Sequence, residues 1–219
     1  VNLLDLLIPC PNATTEMGDN RDRQLINPVT TTSSVFAPSL VHLGKLIGMA
    51  CRHNILVALS LPKIIWKPLA GEVVESEDLQ AVDMTEANCL NAIISGEMPQ
   101  EQVQELLVQA LTSSFTARGL QNTPAAQALA GDAVGRVAQN PAAVRDLVQL
   151  VQQLRLTSQS DGLKLILKGM SAVVPTELLS MFTADELESI FCGEAEVDIA
   201  VLQKATQYES VSPSDRYVL

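Results

Sequence analysis

Histidine is nearly missing from this 219-residue chain, which holds two, and aromatic residues make up only 3% of it. His42 and His53 leave almost no material for a catalytic triad, and neither pairs at i, i+4 with a second ligand, so no metal site is expected. With so few rings, the core must rest on Leu, Val, Ile and Ala. Gly-rich phosphate loops are missing too, and no cofactor is expected. The four cysteines, Cys10, Cys51, Cys89 and Cys192, lie far apart with no CxxC pair. That usage fits reduced thiols in an intracellular compartment, cytoplasm or nucleus. No apolar run approaches the length of a membrane span, so membrane insertion is not expected, and nothing at Val1 reads as a signal or transit peptide. The first residue is not Met, which suggests a piece of a longer protein. Lys and Arg are absent from Pro68 to Ala117, where nine acids stand. A net charge of −11 argues against nucleic acid or an anionic membrane surface as partner and favours basic partners.

What is present is the composition of a folded helical domain, 47% hydrophobic and 18% charged. A chain this long buries on the order of 70% of its unfolded surface. Residues 3–8 are apolar except for Asp5 and read as a buried strand or extended leading segment. Residues 11–34 are polar and read as a long connection, with Asn12-Ala13-Thr14 an idle glycosylation match. Phe36, Leu40, Leu43, Ile47 and Ala50 predict an amphipathic helix over 35–52, on which Gly44 and Gly48 would admit a close neighbour. Pro62 starts a helix through Leu69, Ser76 caps a turn at 77–82, and Thr85 caps a helix to Ser95 that stops at Gly96. Glu75, Glu77 and Asp78 read as a solvated helix start. Pro99 starts a helix with Val103, Leu106, Leu107 and Ala110 on one face. Residues 112–140 predict a short helix at 124–130 and otherwise mobile structure. Asn140-Pro141 then opens a helix carrying Val144, Leu147, Val148, Val151 and Leu154, and helices at 160–170, 175–182, 184–192 and 199–206 follow. The fold class is therefore mainly α, with few short strands.

The segment 169–193, GMSAVVPTELLSMFTADELESIFCG, carries the most explicit punctuation. Pro175 opens one helix, where its missing N–H costs nothing. Thr183 and Glu186 form a capping box for the next, and Gly193 suits a left-handed stop. Leu178, Leu179, Phe182, Leu187, Ile190 and Phe191 supply the expected buried faces. In its order of residues this segment resembles the end of the N-terminal lobe of HECT-type ubiquitin-protein ligases, G-x-x-x-V-V-P-x-x-L-L-x-x-F-T-x-x-E-L-E-x-x-x-C-G. Further segments are similar in the same order: Pro9-Cys10-Pro11-Asn12, Asn20-Arg21-Asp22 with Asn27-Pro28, Leu43-Gly44-Lys45-Leu46-Ile47-Gly48-Met49-Ala50, Leu61-Pro62 to Gly71-Glu72, and Asp78-Leu79 to Asp83. The wording is nearest the HERC-like branch, and residues 112–140 depart from the pattern.

The resemblance implies a HECT N-lobe-like helical domain with a smaller inserted subdomain. Residues 1–83 and 156–219 would form the large part and 84–155 the small one, which holds the ubiquitin-conjugating enzyme. The family's catalytic cysteine accepts ubiquitin in a C-terminal lobe, and the resemblance implies that this lobe lies beyond Leu219. No catalytic residue is therefore expected here, and all four cysteines read as small core residues. The implied docking groove falls on Leu90, Ile93 and Ile94 of the 85–95 helix and on Leu147 of the 141–155 helix, where many relatives carry an aromatic. By helical spacing alone these are equally core positions. Implied partners are a ubiquitin-conjugating enzyme, ubiquitin, and protein substrates bound by regions outside this chain. A non-catalytic interaction module that binds conjugating enzymes is the alternative reading.

Overall fold

The computed structural model describes residues 6–96, 99–117, 142–193 and 199–206. It is mainly α, with one two-stranded antiparallel sheet in which β1 (Leu7–Pro9) pairs with β2 (Gln24–Ile26), Leu7 opposite Ile26. The stretch 11–34 is not one long connection. It holds β2 and two single-turn helices, α1 (Pro11–Thr15) and α2 (Pro28–Thr32). Each begins on proline, whose locked φ and missing N–H suit the first helical position. Asn27 caps α2 by accepting the Val29 N–H at 3.1 Å.

Nine helices follow among the described residues: α3 (Ala37–Arg52), α4 (Lys63–Ala70), α5 (Ser76–Val82), α6 (Met84–Ser95), α7 (Gln100–Ala117), α8 (Ala142–Leu156), α9 (Ser160–Met170), α10 (Ala184–Cys192) and α11 (Ile199–Ala205). A 3-10 helix, Thr176–Met181, precedes α10. Helix α7 runs through 112–117, which the sequence leaves without regular structure; the short helix at 124–130 and the Asn140-Pro141 cap lie outside the described residues.

Several caps sit one or two residues from where hydroxyls alone would put them, because acids cap as well as hydroxyls do. Glu75, not Ser76, caps α5, and the Asp78 carboxylate accepts the Glu75 N–H at 2.8 Å. Asp83, not Thr85, caps α6, accepting the Glu86 N–H at 3.0 Å. Asp78 is not part of a solvated start: it is buried and pairs with Lys67 at 2.6 Å. Pro175 is the extended cap of the 3-10 helix rather than its first residue. The Thr183–Glu186 capping box is present, as the sequence predicts. Gly193 does take a positive φ of 82°, but its ψ of 178° is extended and not left-handed helical.

One core joins the sheet to α3, α4, α9 and α10, with Trp66 stacked on Phe191 at 5.9 Å between ring centroids. The close neighbour that Gly44 admits is α9. A Cβ on Gly44 would stand 2.0 Å from the Ile166 carbonyl oxygen, and one on Gly169 would stand 1.9 Å from that of Val41. The two helices therefore touch backbone to backbone, through glycines from both sides. Leu179, Leu187 and Phe191 enter this core, whereas Leu178, Phe182 and Ile190 are exposed. Side chains three apart eclipse in a 3-10 helix, so this short turn buries one edge and turns Leu178 outward. A second cluster unites α6, α7 and α8 with Leu79 of α5, centred on Leu90, Leu107, Leu111, Val148 and Val151.

Candidate functional site

Leu90, Ile93 and Leu147, three of the four residues singled out from the sequence, meet inside this second cluster and are buried. Ile94 is the exception. It lies on α6 next to Ile93 with 45% of its surface exposed, one residue before the turn that ends the helix at Gly96. Helix α6 thus sends Leu90 and Ile93 into the cluster and presents Ile94 to solvent. The acid-only stretch runs on either side of it; Glu105 is exposed on α7, while Glu97 lies outside the described residues.

At the other end of α6 is a polar junction that the linear sequence does not announce. Arg155 near the end of α8 forms an ion pair with Asp83, the cap of α6, and its Nε lies 4.0 Å from the Glu86 carboxylate. The Ser113 hydroxyl of α7 donates to both Glu86 oxygens at 3.1 and 3.2 Å. Burial is the main reason that the Glu86 carboxyl is held above the usual range, with Arg155 opposing the shift and Asp83 adding to it. The Arg155 Nε is buried without a hydrogen-bond partner. Asn12 closes the junction from α1. It donates to the carbonyls of Asp19 and Ala81, both at 3.0 Å, and accepts the Met84 N–H at 2.8 Å. The spacing Asp83-x-x-Glu86 was the legible signal for half of this network; Asn12 stood in the Pro9-Cys10-Pro11-Asn12 segment without its role being apparent, and nothing local marked Arg155.

Cys10, Cys89 and Cys192 sit in environments that suppress the thiolate. Cys10 is buried, and burial pushes its pKa up to about 12 despite the nearby Arg23 guanidinium. Burial also raises the thiols of Cys89 and Cys192, with Glu86 adding to the first. Only Cys10 is fully a core residue; Cys51, Cys89 and Cys192 are half-buried. No described helix is long and apolar enough to cross a membrane.

Comparison with known proteins adds an independent line. The pattern of the HECT domain (ubiquitin-transferase) matches residues 7–219. The chain is 31% identical over 212 residues to the E3 ubiquitin-protein ligase HERC2 of Mus musculus, covering 97% of this chain but only 4% of that protein. It is 28% identical over 168 residues to the E3 ubiquitin-protein ligase HACE1 of Homo sapiens, covering 76% of this chain and 18% of the relative. The probable E3 ubiquitin-protein ligase HECTD4 of Homo sapiens is 25% identical over 228 residues, 94% of this chain and 5% of its own length.

Proposed function

The chain belongs to the HECT-domain (ubiquitin-transferase) family, and we propose that its second cluster recruits a ubiquitin-charged conjugating enzyme for a parent ubiquitin ligase. The observation that carries the reading is the contrast on α6. An apolar side chain, Ile94, is exposed beside buried Leu90 and Ile93, within a stretch that holds acids and no base. Leu90, Ile93 and Leu147 form the packed layer beneath, which holds α6 in place. An incoming apolar side chain gains from covering Ile94, and a basic partner surface gains from the acids around it.

In the parent protein, ubiquitin would pass from the conjugating enzyme's thioester to a cysteine thiolate and then to a lysine amine. Exchange between thioesters is nearly balanced in free energy, so what it needs is a thiolate and correct positioning. Cys10, Cys89 and Cys192 are poor candidates for that thiolate because burial opposes ionisation at each. Cys51 lies on α3 against the first core, away from the second cluster, so we read the residues here as supplying positioning and place the accepting cysteine elsewhere in the parent protein.

Titration of the chain by calorimetry or NMR against a panel of conjugating enzymes tests the reading. Ile94→Asp should abolish binding while leaving the melting temperature nearly unchanged, since that side chain is already half in water. Leu147→Asp is the wrong probe on its own, because it puts a charge into the cluster. With activating enzyme, conjugating enzyme and ubiquitin present, no reducible ubiquitin adduct should form on this chain. Failure of every conjugating enzyme to bind, or an adduct lost in Cys192→Ser, would overturn the proposal.

A further inference from the structure

A second surface, on the first core and outside the second cluster, is built by the glycine contact between α3 and α9. Because Gly169 lets the two backbones touch beside Val41 and Lys45, its neighbour Lys168 is brought to the same groove as Lys45. The groove has an apolar floor of Pro38, Val41 and Leu165, and His42, Lys45 and Lys168 line it with no Asp or Glu among the lining residues. We infer that this groove docks an acidic peptide segment of a partner protein, one with an apolar side chain between its carboxylates.

The charge pattern is what selects that occupant. Among the described residues Arg23 pairs with Glu188, Lys63 with Asp185, Lys67 with Asp78, Arg155 with Asp83, and Lys164 with Asp161. Lys45 and Lys168 are exposed and have no such partner among the described residues. A chain with 25 acids and 14 bases thus keeps two uncompensated lysines over one apolar floor. Two or three carboxylates from a partner complete these pairs, and one aliphatic or aromatic side chain covers the floor. Longer polyanions fit worse. A net charge of −11 repels them, the lining residues contain no Phe, Tyr or Trp on which a base could stack, and two lysines fall short of the basic cluster an anionic bilayer needs.

The probe is a dye-labelled peptide with Glu and Asp on both sides of one Leu, followed by fluorescence anisotropy and by amide shifts of the full chain. Saturable binding should shift Val41, Lys45 and Lys168, weaken with salt, and weaken about tenfold in Lys45→Glu/Lys168→Glu. Those two side chains are exposed, so the double variant should melt with the wild type. Replacing the peptide's Leu with Ser should weaken binding as well. Ile94→Asp should leave peptide binding unaltered, which separates this inference from the conjugating-enzyme reading. The inference is overturned if the peptide does not bind, or if an all-Glu peptide binds as well. It is equally overturned if oligo-dT or phosphatidylserine vesicles bind more tightly than the peptide, or if the lysine reversals change nothing.

Discussion

A side-chain amide inside a protein is tolerable only when its donors and its acceptor are used, because each unmet polar group costs about 1–3 kcal/mol. Asn12 is fully buried and meets that condition across a span of about seventy residues: it accepts from Met84 and donates to Ala81 and Asp19. Asn12→Ala should therefore lower stability by about 2–3 kcal/mol in a denaturant titration, although it removes almost no apolar surface. The same burial makes its glycosylation sequon unusable in the folded state. Glu86 gives a pH prediction of definite sign. Its folded pKa is raised, mainly by burial, so the folded state holds its proton more tightly than the unfolded chain does. Its contribution is favourable below the ordinary glutamate pKa and is lost as pH rises through the weakly acidic range above it. Glu86→Gln, which keeps the neutral shape, should gain on the wild type across that window; equal pH dependence of the two proteins would refute the assignment.

Among the helices, punctuation and burial separate cleanly around α10. Thr183 accepts the Glu186 N–H at 3.2 Å and Glu186 accepts that of Thr183 at 2.8 Å, so Thr183→Ala should cost about 1 kcal/mol. Phe191 is 2% exposed against Trp66, and Phe191→Ala should cost about 3–5 kcal/mol. Phe182 is 41% exposed, so Phe182→Ala should fall well short of Phe191→Ala, by about half or more. Thermal melts of the three variants check the order. The α3–α9 contact sets a different kind of limit. A methyl group at Gly169 would meet the Val41 carbonyl and the Lys45 amide nitrogen, 2.9 Å away, and both are backbone atoms that cannot rotate aside. Gly169→Ala should cost about 1–3 kcal/mol, even though alanine is the better helix former by about 1 kcal/mol. A neutral result in a denaturant titration would show that the helices can part without loss.

For the molecule as a whole, charge is distributed by cluster. The second cluster takes α6 and α7 from the acid-only stretch from Pro68 to Ala117 and α8 from a segment that carries Arg145 and Arg155, while Lys45 and Lys168 line the α3–α9 groove of the first. A conjugating enzyme with a basic helix beside an apolar loop would meet complementary charge on the α6 and α7 side of the second cluster. Neutralising Glu97 and Glu101 should then slow association, with a rate that falls as salt is raised past the ionic strength where screening acts over about 8–10 Å. Dissociation should change little, because the apolar contact at Ile94 does not depend on salt. Stopped-flow measurements at two salt concentrations separate these outcomes. A salt effect confined to dissociation would contradict the steering account.

Family membership, the helical class, the Thr183–Glu186 box, the stop at Gly96 and the glycine face of α3 were all legible in the sequence. Family membership rests on the order of segments along the chain; the others depend on residues a few positions apart, and the hydrogen bonds or side-chain rows that express them close within one or two helical turns. Three-dimensional packing decided the rest. Whether Leu178, Phe182 or Ile94 is covered depends on what lies across from it, and sequence spacing gives the side of a helix but not its neighbour. The family resemblance grouped Leu90, Ile93, Ile94 and Leu147 as a groove, and helical spacing made them equally core positions; only packing against α7 and α8 left Ile94 outside. The junction of Asn12, Asp83, Glu86 and Arg155 is further still from local reach, because its partners stand 72 positions apart and meet only when both clusters have formed.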